Sequence, residues 1–418
     1  MNVTVRARSF IYFFISFLGT GIQNIIPQVF FSQNVQESKM FWLSVCLVLG
    51  SVGSIVIIWC THSAKYFRMQ GSRPRSIKWV VAISLALSVL ASASLLLAAH
   101  IALFMASFFL TRTASQLFIN VMDRYYVHVL PKADISSHSR NTTLSQLIGM
   151  MLAPIYFSLT LHRFSPLLNW LVLFAGFSAV AVIVWHDLRR LPQGEPIAVS
   201  SSSAARSGAT IGAYEILFLG YVIALSSASM LFSSNLIFAL ADLYHMEHAV
   251  VRSGLLLTII HVMAIVAVFM TKLARGRSMT VRIHLPLSLL MLASLVLFFF
   301  PANAGIGYLA AIGASIGCVY GLFSLYARKH ATEWSVQTGR PVLLSLYNNQ
   351  SSYAIVVSSL AAFVLSLISG PHMDMYLHLL IASVSLFVVI AVLIAAYLGL
   401  RKSKAAVDGG QGQLSADV

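Results

Sequence analysis

Charged residues are scarce in this chain of 418 residues: Asp, Glu, Lys and Arg make up 9% of it, against about 25% in a typical soluble domain. Hydrophobic residues make up 58%, and the mean hydropathy is +0.85. A soluble globule of this size could not cover its surface with so few polar groups. The composition therefore excludes a soluble enzyme, a soluble nucleic-acid-binding domain and a disordered chain.

Acidic residues and cysteines are also few. The chain holds 12 Asp and Glu against 27 Lys and Arg, and its cysteines, Cys46, Cys60 and Cys318, all lie in apolar runs. Cysteines in that setting act as small core residues and indicate no disulfide framework. No P-loop occurs, and the polar stretches between the apolar runs are too short for a catalytic domain. We therefore expect no enzyme activity, cofactor, metal or nucleic-acid partner.

Long apolar runs dominate the chain. A bilayer core of about 30 Å needs about 20 apolar residues per helix, and twelve runs meet that length, with only His100 between the third and the fourth. Their approximate limits are 9–31, 40–60, 79–99, 101–122, 143–161, 166–185, 211–241, 249–271, 283–300, 305–326, 342–369 and 375–399. The pattern predicts an all-α polytopic membrane protein with twelve transmembrane helices. Aromatic residues such as Tyr12 are interpreted as lipid-facing or interfacial.

The basic residues are distributed unevenly between the two sides of these spans. Of the 27 Lys and Arg, 23 fall on the side of the N-terminus, whereas Lys39, Arg163 and Arg252 fall on the other side and Arg112 lies inside a span. The cytoplasmic loops of membrane proteins contain the excess of Lys and Arg. We therefore expect both termini in the cytoplasm, an even number of spans and a location in the cytoplasmic (inner) membrane.

The longest polar interruption divides the spans into two groups of six. The predicted parts are a six-helix bundle over 1–185, a cytoplasmic linker over 186–210, a second six-helix bundle over 211–399 and a disordered tail over 400–418. Corresponding spans of the two groups begin about 200 residues apart. Two parallel repeats of six helices with a binding site between them are typical of secondary transporters.

Two local patterns lie within this architecture. Span 4 contains Arg112 followed by Gln116, and span 5 contains Gly149, Ala153 and Pro154. The two six-helix halves, the central linker and the basic loops after spans 2 and 8 resemble the major facilitator superfamily. These residues of spans 4 and 5 resemble most of all its small-molecule, drug or siderophore exporters. The resemblance implies alternating access, action as a monomer and a cavity lined by spans 1, 4, 7 and 10. The polar residues of the lining that become candidate substrate contacts are Gln23, Asn24, Gln116 and Asn235.

The chain departs from that family in the loop between spans 2 and 3. Members of the family usually have an aspartate there that latches the outward-open state. Residues 61–78 contain five basic side chains and no carboxylate. Asp123, near the cytoplasmic end of span 4, is one candidate to supply the missing acid, but the latch mechanism is not carried over to this chain.

Ionisable residues inside a span cost roughly 2.5–3.5 kcal/mol at the bilayer centre, so each is a functional candidate. Arg112 lies at the middle of span 4, His261 at the middle of span 8, and Glu215 near the cytoplasmic end of span 7. Arg112 keeps its charge, and it has either a role in substrate binding or proton coupling or a packing role. His261 is either a proton carrier or a neutral histidine bonded between helices. Glu215 is either a proton acceptor or an interfacial carboxylate.

No acidic residue lies near mid-depth in any predicted span, so the cavity would contain one fixed positive charge. Charge complementarity then favours an anionic or zwitterionic solute. We predict a secondary transporter that exports such a metabolite or drug-like solute by proton-coupled alternating access, with the lipid bilayer as its surroundings. An importer of a siderophore or organic acid, a lipid flippase and a non-transporting membrane receptor are the alternatives.

Overall fold

The computed structural model describes residues 3–35, 39–63, 74–129, 135–189, 213–238, 240–241, 244–271, 305–338 and 342–369, with 289–291, 293–294 and 297. Regular secondary structure in these residues is helical throughout. In chain order the helices are α1 (Val3–Thr20), α2 (Ile26–Asn34), α3 (Lys39–Ser63), α4 (Pro74–Leu96), α5 (Ile101–Val129), α6 (Ile135–Arg163), α7 (Pro166–Arg189), α8 (Ala213–Phe238), α9 (Ala249–Met270), α10 (Ile306–Thr338), α11 (Val342–Asn348) and α12 (Gln350–Ser369).

Eight helical segments of the described part are long and apolar enough to cross a membrane. The chain is therefore a multi-pass membrane protein. Span 12, most of span 9, residues 190–210 of the predicted linker and the predicted tail lie outside the described residues. The number of twelve spans and the repeat of two halves thus stay predictions. Below, the N-terminal half means α1 to α7, and the C-terminal half means α8 to α12.

Three helices exceed the apolar runs that predicted them by seven residues or more. α5 and α6 have 29 residues each, and α10 has 33. Their extra turns lie at the predicted cytoplasmic ends, because hydropathy ends a span at the first polar residues while a helix continues as long as its packing supports it. Arg328, which we expected in the loop after span 10, lies inside α10 and is 2% exposed. That expectation was wrong.

The boundaries of the other spans that the structure describes fit the prediction with two interruptions. The division between spans 3 and 4 is confirmed, since α4 ends at Leu96 and α5 begins at Ile101. Span 1 contains a π-helical turn, Gly21–Ile25, shortly before Pro27, whose nitrogen has no hydrogen to donate to the helix. Span 11 is divided at Asn349 into α11 and α12. A hydropathy average over a whole span does not register such breaks.

The two halves meet where α6 packs against α9 and α10 and where α3 packs against α12. Gly254 of α9 permits a close approach, because a Cβ atom there would lie 2.4 Å from the hydroxyl oxygen of Ser158 and 3.0 Å from the carbonyl oxygen of Pro154. α5 also contacts α11. The polar face of α5 is therefore buried at the boundary between the halves.

Glycines of α10 allow close packing inside the C-terminal half. Gly313, Gly317 and Gly321 recur every four residues on the face that contacts α9. A Cβ atom on Gly317 would lie 2.1 Å from the carbonyl oxygen of Ile260. Small residues at this spacing let two helix backbones approach each other in a membrane.

Replacing Gly317 with alanine is expected to destabilise the protein by about 1–3 kcal/mol, the usual cost of overpacking. The clashing atom belongs to the backbone, so α9 and α10 would have to separate. Thermal unfolding of the detergent-solubilised protein measures the effect. Gly307→Ala is the matched control, because nothing lies within 4 Å of its added Cβ atom. Equal melting temperatures for the two variants would contradict the packing argument.

Candidate functional site

A buried carboxylate lies at the predicted cytoplasmic end of α5. The two oxygens of Asp123 accept hydrogen bonds from the hydroxyl of Tyr12 and the side-chain amide of Asn348. Nη2 of Arg328 lies 3.3 Å from Oδ1 and 3.4 Å from Oδ2 of the same carboxylate. Asp123 and Arg328 are 3% and 2% exposed. A buried ion pair needs additional hydrogen bonds of this kind to offset the loss of hydration.

Arg328 has further contacts that complete the cluster. Its Nη1 donates to Oε1 of Gln146 at 3.0 Å, and its guanidinium lies 4.9 Å from the ring centre of Tyr12. Tyr12, Asp123 and Gln146 belong to the N-terminal half, whereas Arg328 and Asn348 belong to the C-terminal half. We call these five residues the Asp123 cluster. It ties α1, α5 and α6 to α10 and α11 across the boundary between the halves.

A second buried charge lies three turns away along α5. Arg112 is 3% exposed, and its Nη2 donates to the hydroxyl of Ser352 in α12 at 3.2 Å. Its Nε and Nη1 atoms are buried and have no hydrogen-bond partner in the described part of the chain. Gly50 of α3 provides room for this side chain, because a Cβ atom there would lie 3.1 Å from Cδ of Arg112.

Amide side chains continue the polar boundary between Arg112 and the Asp123 cluster. Gln116, one turn after Arg112, donates to the carbonyl oxygen of Asn348 at 3.1 Å. The side-chain amides of Asn120 and Asn349 are buried without a hydrogen-bond partner among the described residues. One face of α5 thus presents a cationic group, two amides and a carboxylate to α11 and α12.

His261 and Glu215 lie on α9 and α8 and, in the described part of the chain, are not bonded to Arg112. Nδ1 of His261 donates to the carbonyl oxygen of Leu257, one turn earlier in α9, at 2.6 Å, and its ring meets Tyr320 edge-on at 6.3 Å. Glu215 is half-buried in the first turn of α8, where the helix dipole favours a carboxylate. No hydrogen bond or ion pair within the described ranges joins either residue to Arg112.

The other candidate residues of the sequence analysis differ in burial and in surroundings. Asn24 is buried in the π-helical turn of span 1, and Gln23 beside it is half-buried. Asn235 lies in α8, but its side chain is outside the described part. In span 5, a Cβ atom on Gly149 would lie 2.2 Å from the carbonyl oxygen of Phe13, while Ala153 is fully buried and Pro154 lies within α6. The exporter-like residues of span 5 therefore take part in helix packing.

Sequence reasoning missed most of the Asp123 cluster. Tyr12, interpreted as lipid-facing or interfacial, is 2% exposed, so that interpretation was wrong. Arg328 was counted among the loop residues that orient the chain. Gln146 and Asn348 lie in runs with many amides and hydroxyls, so composition did not distinguish them. Within the described ranges, no group of three His, Cys, Asp or Glu residues is placed to hold a metal ion.

Comparison with known proteins finds similarity in structure but none in sequence. No family model and no curated protein matches the sequence. Among solved structures, the crystal structure of nucleoside transporter NupG is similar, with a TM-score of 0.62 and 14% sequence identity over 95% of this chain and 99% of that one. The chain therefore has the same fold as that protein. At 14% identity the likeness concerns the fold alone.

Proposed function

We propose that the chain is a secondary transporter that moves a small anionic or zwitterionic solute across the cytoplasmic membrane by proton-coupled alternating access. In such transporters the solute site lies between two halves and opens to one side at a time. The observation that supports the proposal is Arg112, a buried cation at the boundary between the halves of a transporter fold with two nitrogens that have no hydrogen-bond partner among the described residues.

The two buried arginines of the boundary differ in their partners. Arg328 is compensated by Asp123, whereas the hydrogen-bond partner of Arg112 is the neutral hydroxyl of Ser352. A buried ion without a counter-charge costs several kcal/mol. A carboxylate or phosphate group on a solute would accept hydrogen bonds from Nε and Nη1, which lack a partner within the described ranges, and would neutralise the charge. A lipophilic cation would be repelled.

The Asp123 cluster supports alternating access. It joins the halves at the predicted cytoplasmic end of the boundary, so its contacts across the halves have to separate when the site opens to the cytoplasm. In the family that the sequence resembles, an aspartate of the loop between spans 2 and 3 has the latching role. Here a carboxylate inside span 4 would take that role.

Export is the direction we propose, on the resemblance of spans 4 and 5 to exporters. A neutral polar solute such as a nucleoside is a second candidate, because the similar structure is that of a nucleoside transporter. The amides of Asn120 and Asn349, which have no hydrogen-bond partner in the described part of the chain, favour this candidate, since each offers a donor and an acceptor.

Counterflow in proteoliposomes tests this function. Vesicles that contain the purified protein are loaded with one unlabelled solute at a time. The panel holds carboxylates, zwitterions, nucleosides and lipophilic cations, and uptake of the same solute in labelled form is measured. We expect exchange of carboxylate-bearing solutes by the wild type. Exchange restricted to nucleosides would favour the second candidate. Exchange restricted to lipophilic cations would contradict the proposal that the solute is anionic or zwitterionic.

A pH gradient across the same vesicles tests the coupling and the direction. We expect a pH gradient to drive solute accumulation in vesicles with the wild type. The gradient should have no effect on accumulation in vesicles with His261→Gln, because His261 is the proposed proton carrier. Solute movement opposite to the proton movement indicates an exporter that works by antiport. Solute movement in the same direction as the protons indicates an importer. A variant that keeps the full response would remove His261 from the coupling mechanism.

A further inference from the structure

The side-chain amide of Gln28 makes an unusual contact between the two halves. Gln28 lies in α2 and is 1% exposed. Its Nε2 donates to the carbonyl oxygen of Asn24 at 2.6 Å and to that of Ser233 at 2.9 Å. Its Oε1 accepts from the backbone N–H of Ile237 at 3.0 Å. One amide thus bonds two backbone groups of α8.

The two backbone groups are four residues apart in α8. In an α-helix the N–H of Ile237 and the carbonyl oxygen of Ser233 are each other's partners. Gln28 therefore bonds both members of one helical pair. A side chain inserted at such a pair is one of the known causes of a local helix distortion. Residues 240 and 241, shortly after the contact, have π-helical backbone.

The contact lies at the opposite end of the boundary from the Asp123 cluster. Gln28 follows Tyr12 by 16 residues in span 1, which is about 24 Å along a helix at 1.5 Å per residue. Ser233 and Ile237 likewise lie near the end of α8, whose first turn contains Glu215. In the predicted orientation this is the outer side of the membrane.

We propose that the amide of Gln28 is an exchangeable tie that holds the outer side of the boundary closed, an inference that rests on the proposed alternating access. When the amide leaves, the N–H of Ile237 and the carbonyl oxygen of Ser233 bond each other. The backbone of α8 therefore has a hydrogen-bond partner in both states. A helix with two satisfied arrangements can switch without leaving its own N–H and carbonyl groups unpaired in the bilayer.

Spin-label distances in the full chain, reconstituted in lipid nanodiscs, test this proposal. The three native cysteines are replaced by alanine, and labels are attached to Phe41→Cys and Glu247→Cys for the outer side, since both side chains are exposed. Trp79→Cys and Met270→Cys, also exposed, report on the other side. Gln28→Met keeps the size of the side chain and removes the amide.

Gln28→Met is expected to raise the ratio of outer-open to outer-closed molecules about tenfold, because two hydrogen bonds between the halves are lost. The distance on the other side should not increase. The melting temperature should fall no more than in the control Asn34→Ala, because the helical pair replaces the lost bonds. Asn34 lies in the same helix, and its Nδ2 donates to the carbonyl oxygen of Phe30 at 2.9 Å within that helix.

An unchanged outer distance would overturn the proposal, and so would a melting temperature well below that of Asn34→Ala, which would mean that Gln28 is a fixed structural contact. If Gln28→Met does not fold, Gln28→Asn serves instead, because its shorter amide does not reach α8. The measurement requires no solute. Failure of counterflow with a normal distance response would therefore count against the proposed function, and the reverse result would count against the tie.

Discussion

Replacing Arg328 with methionine is expected to destabilise the protein by about 3–5 kcal/mol, the usual cost of removing one partner of a buried ion pair. Asp123 would keep the hydrogen bonds from Tyr12 and Asn348 but would lose the only positive charge that contacts it among the described residues. We also expect counterflow to be lost, because an unpaired carboxylate would keep the halves from closing on it.

The double variant Asp123→Asn with Arg328→Met is expected to recover most of that stability, since no buried charge then remains at this position. Thermal unfolding of the wild type, Asp123→Asn, Arg328→Met and the double variant gives a double-mutant cycle for this pair. Lys329→Met is the matched control. Lys329 lies next to Arg328, and its 3.7 Å ion pair with Glu333 is more than one third exposed, so its loss should have little effect.

Strict additivity of the two single effects would show that Asp123 and Arg328 do not interact in the folded protein. Recovery of stability without recovery of counterflow is the result that the proposed latch requires. The double variant would then fold but would lack the charge pair that holds the predicted cytoplasmic side closed. Full counterflow in the double variant would mean that the pair serves stability alone.

Arg112→Ala is expected to abolish the thermal stabilisation that a carboxylate-bearing ligand gives to the wild type. A ligand at 100 times its dissociation constant stabilises the folded state by about 2.7 kcal/mol. Without the guanidinium, the carboxylate would enter a buried site with no positive charge, so the shift should fall to near zero. Each variant is compared with its own ligand-free melting temperature, so that any direct effect of the substitution cancels.

Arg252→Ala is the control for that experiment, because Arg252 is an arginine of the C-terminal half near the start of α9 and lies outside the proposed site. It should keep the full ligand-induced shift. Stabilisation by lipophilic cations that is unchanged in Arg112→Ala would assign Arg112 a structural role. It would also remove the argument for an anionic solute.

The spans were predictable because the hydrophobic effect acts on local composition. A helix in a bilayer has to be apolar over about 20 residues, so limits such as 249–271 for α9 agree with the helix Ala249–Met270. The position of Arg112 inside span 4 followed from the same rule. Interruptions such as the break at Asn349 leave the mean hydropathy unchanged, and for that reason hydropathy did not reveal them.

The polar boundary between the halves was only partly predictable. Arg112 and Gln116 were candidates because polar residues in an apolar run are conspicuous. Arg328 lay beyond the apolar run of span 10 and resembled the other basic residues that orient the chain. Its burial depends on Asp123, which is 205 residues away in sequence.

Local composition determined that this chain is a multi-pass membrane protein and which segments are helical, since burial in lipid is a property of each segment separately. The tertiary structure decided which polar residues are paired and which are not. Tyr12, Gln28 and Arg328 acquire their contacts from the opposite half of the chain. Hydrogen bonds and ion pairs are short-ranged and directional, so packing had to bring their partners together before any of these roles could be assigned.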